Sequence, residues 1–175
     1  MHIILQTPRL IFRRFTDSDA DAALIFELNS NAEVLKYLQE PMLQDIAHAK
    51  EILQTIILPQ YEKKLGRWAV HLKENNQFIG WCGLKHRPEL DEIDLGYRFI
   101  PTAWRRGYAT EAAAATLQYG FKKLQLKTIT GRAHIENIAS FTILKKIGMQ
   151  YLGEGIVDDC PVKTFVAENP LYKSQ

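Results

Sequence analysis

The sequence predicts an α+β domain of three layers, an α/β-like arrangement in which a mixed, mostly antiparallel sheet of about seven strands carries helices on both faces. Three observations predict it. Three strand-length segments follow one another in the middle of the chain, separated by turn residues alone. Helical and strand-like segments then alternate to the end. The chain has 175 residues, 46% of them hydrophobic, which suits one core and a single domain over 1–175.

The elements follow in order. Arg9 to Phe15 (RLIFRRF) is short, rich in β-formers and preceded by Pro8, so it reads as a strand. Thr16 stands where a helix cap belongs, and Asp17 and Asp19 suit the positive end of that helix. Ala20, Ala23, Leu24 and Leu28 share one face of it, over Ser18 to Asn29. Gln44 to Leu58 repeats Ile46, Ala49, Ile52, Leu53 and Ile56 at helical spacing, and Pro59 ends or kinks it. Arg67–Glu74, Gln77–His86 and Glu92–Ile100 read as an antiparallel meander, with turns at Asn75–Asn76 and Arg87–Asp91. A helix from about Tyr108 to Leu124, a strand Lys127–His134, a helix from about Asn137 to Ile147 and strands around Met149–Val157 and Lys163–Glu168 complete the chain.

Charge and cysteine usage exclude several classes. With 22 basic and 20 acidic residues the formal charge is +2, so no nucleic-acid partner is expected and any positive site must be local. Cys82 and Cys160 lie in no CxxC or Cys/His pattern, so no metal site is expected. Two free thiols point to a reducing compartment. The N-terminal stretch has no long apolar run before a small-residue cleavage site, and no segment approaches the ~20 apolar residues of a membrane span. The expectation is a cytoplasmic protein with no membrane partner; monomer or dimer stays open. Neither GxxxxGK[ST] nor GxGxxG occurs, which disfavours a nucleotide-phosphate protein.

The stretch WRRGYATEAAAA, Trp104 to Ala115, carries the most chemistry. Pro101 ends the preceding strand, and Arg105, Arg106 and Gly107 come just before a helix start. A helix start points unpaired N–H groups and partial positive charge outward, and Gly107 and Ala109 let a ligand approach the backbone. The assembly suits a pyrophosphate. The alternative is a plain strand–loop–helix connection with solvated arginines. Behind the turn, Ala109, Ala112, Ala113, Leu117, Gly120, Phe121 and Leu124 form one stripe, small residues first, so the helix can lie close to the sheet. In ENIASFTILKKIGM, Asn137 is placed to cap a helix, Ser140 sits in its first turn, Ile143, Leu144 and Ile147 form its apolar stripe, and Gly148 suits its end.

Taken in order, TPRL (Thr7–Leu10), Gly96-Tyr97, W-x-x-G-Y-A-T-E-A (Trp104–Ala112), N-x-x-S (Asn137–Ser140) and the K-x-G of Lys146–Gly148 resemble the Gcn5-related N-acetyltransferases. The branch most similar is the ribosomal-protein N-terminal acetyltransferase type. The resemblance runs from Thr7 to about Glu168. It implies the acetyl-CoA N-acyltransferase fold, acetyl-CoA as cosubstrate and no metal. It further implies that the strand ending at Ile100 runs parallel to Lys127–His134 but splays from it, and that pantetheine enters the gap beside Phe99 and Ile100. The family's pyrophosphate loop falls on Trp104 to Ala109; Trp104 departs from its usual Gln/Arg, so Arg105 or Arg106 would supply that donor. Contacts to the cofactor would come from this loop with Tyr108 and Thr110, and from Asn137 and Ser140 along the pantetheine arm. A tyrosine acid common seven residues after the asparagine is replaced by Leu144, which shifts attention to Ser140.

Acetyl transfer to an amine must deprotonate the amine, polarise the thioester carbonyl and stabilise the departing thiolate. A backbone N–H near Phe99 and the Ser140 hydroxyl would serve the last two. For the base, Glu92 and Asp94 share one face of a strand; the alternative is that they are solvated edge charges. Asp158 and Asp159 form a second pair, or an ordinary turn, and His71 and His134 are further candidates because histidine is the side chain suited to proton transfer near neutral pH, although a strand histidine is commonly structural. The helices at Ser18–Asn29 and Gln44–Leu58 would shape the acceptor cleft, and Phe26, Tyr37 and Tyr61 would line it or fill the core. The acceptor implied is a protein N-terminal amine or a small-molecule amine. The competing reading is a non-catalytic CoA-binding domain of the same fold.

Overall fold

The meander at Arg67 to Ile100 forms the centre of the computed structural model, which describes residues 2–172. The elements are β1 (Ile3–Gln6), β2 (Leu10–Arg13), α1 (Asp19–Asn29), α2 (Ala32–Leu35), α3 (Ile46–Ile52), β3 (Gly66–Leu72), β4 (Phe78–Arg87), β5 (Glu92–Phe99), α4 (Tyr108–Lys122), β6 (Thr128–His134), α5 (Ile138–Lys146), β7 (Gln150–Val157) and β8 (Cys160–Glu168). The sheet has eight strands in the order β1-β2-β3-β4-β5-β6-β8-β7. The additional strand is β1, four residues pairing antiparallel with β2 at the sheet edge.

Strand alternation divides the sheet into two faces. On one, Leu84, Leu95, Ile129 and Phe165 are buried beneath α4 and α5. Gly120 of α4 lies so close to β6 that a Cβ there would stand 2.6 Å from the Ile129 side chain. The small residues in the α4 stripe therefore permit close helix-on-sheet packing. On the other face, Arg98 of β5 reaches Asn29 at the end of α1, and His134 of β6 stacks on Tyr37 after α2.

Three local expectations are corrected. Ser18, not Thr16, caps α1, accepting from the Asp21 N–H. Thr16 instead donates to the Asp21 carboxylate, which also takes two bonds from Arg13 at 2.9 and 2.7 Å. This buried ion pair sets the rotation of α1, so Ala22, Ile25 and Leu28 face inward while Ala20 is exposed. In the next helical region the chain widens into a π-helical turn over Leu53–Ile57 and tightens into a 3-10 stretch over Leu58–Lys63. The extra residue in the π turn moves the inward position one residue on: Ile57 is buried and Ile56 exposed.

Candidate active site

β5 and β6 are parallel, and their ladder consists of Asp94↔Thr130 and Leu95↔Gly131. Beyond Leu95 the strands diverge, so among the described residues no strand lies beside the edge of β5 from Gly96 onward. β4 holds the opposite edge in register as far as Gly80↔Phe99. The splay expected from the sequence is present. Its mouth differs in detail. The Ile100 N–H donates to Ile79 and its carbonyl accepts from Ala103, so both backbone groups of Ile100 are engaged within the chain. The Phe99 carbonyl accepts from the Trp104 indole at 2.8 Å, which ties the loop down onto the strand end.

The loop then turns through left-handed backbone at Arg105 (φ 60°) and Gly107 (φ 79°), the second of which is the N-cap of α4. Among the described residues no side chain caps this helix, so its N-terminal N–H groups from Gly107, Tyr108, Ala109 and Thr110 face outward. The positive φ favours glycine at 107, and the Arg9 guanidinium lies 3.3 Å from where a Cβ would stand. Arg105 and Arg106 are exposed, and among the described residues neither has an ion-pair partner. The turn has the parts of an anion site: oriented N–H donors, a helix dipole and free guanidinium charge.

The N-terminal TPRL segment braces this turn. Glu111 accepts from the Thr7 hydroxyl at 2.6 Å, the Arg9 N–H at 3.0 Å and Arg9 Nε at 2.6 Å. Arg9 also donates to the Arg106 carbonyl at 2.9 Å and lies over the Tyr108 ring. Two motifs 102 positions apart in the chain thus form one unit.

At α5, Asn137 caps the helix, its Oδ1 accepting from the Ser140 N–H at 3.1 Å. Leu144 is buried against Gly131 and holds no polar role. A tyrosine enters from another element: Tyr97 of β5 places its hydroxyl 3.0 Å from both Ser140 Oγ and the Ser140 carbonyl. Burial pushes the Tyr97 phenol up, so it stays protonated and acts as a hydrogen-bond donor. Tyr97 lies two residues past the last β5–β6 pair, on the α5 face. The sequence signal for it was the alternation Leu95, Tyr97, Phe99, which puts all three on one side of the strand.

Glu92 and Asp94 lie on the opposite face at the closed end of the splay, and both are paired. Glu92 forms an ion pair with Arg132, and Asp94 lies 3.3 Å from Arg87 Nε and 3.5 Å from Arg132 Nη1. Burial raises the Asp94 carboxyl, against the pull of Arg87 and Arg132. Arg87 continues to Asp158 at 2.7 Å, so the β7–β8 turn belongs to the same network. Asp158 and Asp159 both have left-handed backbone, at φ 53° and 58°, as a tight hairpin turn requires. His71 is structural: Nε2 takes a bond from Arg13, Nδ1 meets the Asn76 carbonyl, and burial lowers its pKa. His134 Nδ1 accepts from the Glu136 N–H at 3.2 Å. Tyr61 is buried and donates to the Arg67 carbonyl, so it fills the core. Phe26 is a partly buried residue packed against that core. No group of three metal-ligating side chains occurs among the described residues.

A splayed parallel strand pair with an uncapped, glycine-opened helix at its mouth forms the frame of the site. Residues 9–150 match the family described as Acetyltransferase (GNAT) domain, and the chain belongs to that family. It is an acetyltransferase. An uncharacterized N-acetyltransferase of Bacillus subtilis, YoaA, is 36% identical over 158 residues, covering 87% of this chain and 86% of its own. The uncharacterized N-acetyltransferase p20 of Bacillus licheniformis is 30% identical, covering 89% and 85%. Among solved structures, a GNAT-family acetyltransferase from Bacillus anthracis superimposes with TM-score 0.79 at 24% identity, over 97% of this chain and 99% of that one. The RimL ribosomal L7/L12 α-N-protein acetyltransferase in complex with coenzyme A gives 0.80 at 14% identity, over 95% and 98%. The Vibrio cholerae spermidine N-acetyltransferase in complex with CoA and spermine gives 0.78 at 18%, over 95% and 99%.

Proposed function

We propose that the protein transfers the acetyl group of acetyl-CoA directly to a primary amine, either a protein N-terminus or a small molecule, in the manner of the ribosomal-protein N-terminal acetyltransferase branch. We place this activity in the cytoplasm. The observation that carries the reading is the open β5 edge beyond Leu95, flanked by the Gly107 turn at one end and the Tyr97–Ser140 hydroxyl pair at the other. Structural neighbours whose names include bound CoA support it.

In this reading the first-turn N–H groups of α4, with Arg105 and Arg106, hold the pyrophosphate, and the free edge of β5 near Phe99 pairs with the pantetheine amides. Asn137 and Ser140 lie along the same arm. The amine nitrogen attacks the thioester carbonyl carbon, a C–N bond forms and the C–S bond breaks. The electron pair leaves on sulfur as a thiolate. Ser140 donates to that sulfur while Tyr97 orients the serine from behind. The amine proton passes, through water, to the Glu92–Asp94 pair. Burial brings the Asp94 carboxyl nearer to the amine's working range than an exposed carboxylate would be.

The test is release of free CoA from acetyl-CoA across a panel of amines and peptides with free N-termini. Amine-dependent thiol release, with acetylated amine found by mass spectrometry, is the expected result. Binding of acetyl-CoA with no release for any amine would leave a CoA-binding domain and overturn the reading.

A further inference from the structure

The face of the sheet that carries Glu92 and Asp94 holds a second cationic cluster that the transfer chemistry does not use. Arg67 of β3 and Arg98 of β5 both lie over the indole of Trp81 in β4, at 4.9 and 5.7 Å from the ring centroid. Arg98 is occupied: it takes both oxygens of Glu40 at 3.1 Å and bonds to Asn29. Arg67 is partly buried, and among the described residues its guanidinium has no ion-pair or hydrogen-bond partner. Burial, then the neighbouring Arg98 charge, lowers its pKa to about 10, so it remains charged at neutral pH.

An unpaired, partly desolvated guanidinium beside a second one is costly unless something completes it. The position says what. Trp81 lies against Gly96, where a Cβ would stand 3.2 Å from the ring. Gly96 is the first residue past the last β5–β6 pair, at the apex of the splay. Arg98 is two strand residues further, about 7 Å along the sheet. The cluster therefore borders the open strand edge, on the face where Asn29 at the end of α1 and Glu40 reach Arg98, and on the acetyl-transfer reading an amine would approach that edge from this side.

We propose that Arg67, supported by Trp81 and Arg98, binds a carboxylate carried by the acceptor within a few bonds of its reacting amine. This rests on the acetyl-transfer reading for what happens to the amine. Two sources share the chemistry: a free amino acid, or an acidic residue close to a peptide N-terminus. Arg67 supplies a planar donor fork that matches a carboxylate. The same charge disfavours a polyamine, which would bring cations against Arg67 and Arg98.

The experiment compares matched acids and amides on the full chain. Glycine and glycinamide, β-alanine and its amide, and tripeptide amides with glutamate or glutamine at the second position serve as probes, with spermidine as the cationic control. Rates are expressed per unprotonated amine. Wild type is expected to favour the carboxylate member of at least one pair by about tenfold or more in kcat/KM. The pair that does so identifies the source. Arg67→Gln is expected to collapse that preference through KM, and Arg67→Lys to restore part of it, with thermal melts confirming the fold of both. An equal rate for acid and amide, a preference for spermidine, or an unchanged ratio in Arg67→Gln overturns the proposal. Calorimetry with the CoA-loaded protein separates it from the transfer reading. Acids that bind to wild type and not to Arg67→Gln, without acetylation, leave the carboxylate site standing and remove the transfer. If no acid binds and none is acetylated, the carboxylate site falls.

Discussion

Glu111 joins the sequence motif at the start of the chain to the one in its middle. Its carboxylate accepts from Thr7 and twice from Arg9, and these bonds hold its pKa below the usual 4.5 although burial pushes the other way. A depressed carboxyl contributes stability that is fully present above the unfolded value and is lost as pH falls through the folded one. Glu111→Gln should therefore melt below wild type at pH 7 by roughly 2–4 °C, about 1 kcal/mol because Arg9 is half exposed and screened. That gap should close as pH drops below about 4.5. A gap that stays constant from pH 7 to pH 3 would mean the charge contributes nothing. Ser140 carries the second prediction at this scale. Its hydroxyl lies 3.0 Å from the Tyr97 phenol, and a contact to a leaving thiolate matters mainly in the transition state. Ser140→Ala should lower kcat at least about tenfold and leave the acetyl-CoA KM within a few-fold. Tyr97→Phe should lower kcat less, since it orients the serine and does not touch sulfur. Wild-type turnover in Ser140→Ala would remove the assignment.

The α4 entry is an element whose function depends on one backbone angle. Gly107 sits at φ 79° as N-cap, with Arg9 against the space a side chain would fill. Gly107→Asp should strain the turn, displace Arg9 and place a negative charge where a pyrophosphate is to bind. Calorimetric affinity for CoA, expected near micromolar in wild type, should fall by at least about tenfold. Unchanged affinity would mean that the phosphates lie elsewhere. Elements of this kind were legible in the sequence because their signals are local. The meander strands, the α4 stripe, the Asn137 cap and the Gly148 terminus, at φ 93°, all depend on residues within a few positions of one another. The elements misread are those whose form is set from a distance. The inward face of α1 follows from Arg13 pairing with Asp21, and β1 is a four-residue edge strand that exists only against β2. The π turn at Leu53–Ile57 shifts the buried stripe by one residue, which no α-helical period anticipates.

Across the whole molecule the sheet separates two kinds of chemistry. The α4–α5 face and the open β5 edge carry hydroxyls and N–H donors. The opposite face carries charge: Glu92, Asp94, Arg87, Arg132 and Asp158 in one network, Arg67 and Arg98 in another. Glu92 and Asp94 were visible in the sequence as a same-face pair, but their arginines were not. Arg132 is 38 to 40 residues away and Asp158 lies 71 from Arg87, so the pairing exists only once β6 and the last hairpin have closed on β5. This placement assigns the two carboxylates different consequences. The Asp94 side chain is 14% exposed, between two guanidiniums, whereas Glu92 is 30% exposed at the rim. Asp94→Asn leaves Arg87 with Asp158 and Arg132 with Glu92, and burial already raises the Asp94 carboxyl, so losing its charge-assisted bonds should cost only about 1 kcal/mol of stability. Glu92→Gln should cost less stability and, if the proton leaves through water at the rim, slow turnover roughly 100-fold. The loss should be greatest at pH values where the acceptor is still an ammonium and should shrink as pH rises to deprotonate it in solution. Rate–pH profiles of both variants beside their melting temperatures read the two effects independently. A flat ratio of mutant to wild-type rate across pH would show that neither carboxylate takes the proton, and would move the search to Asp158, Asp159 and His134.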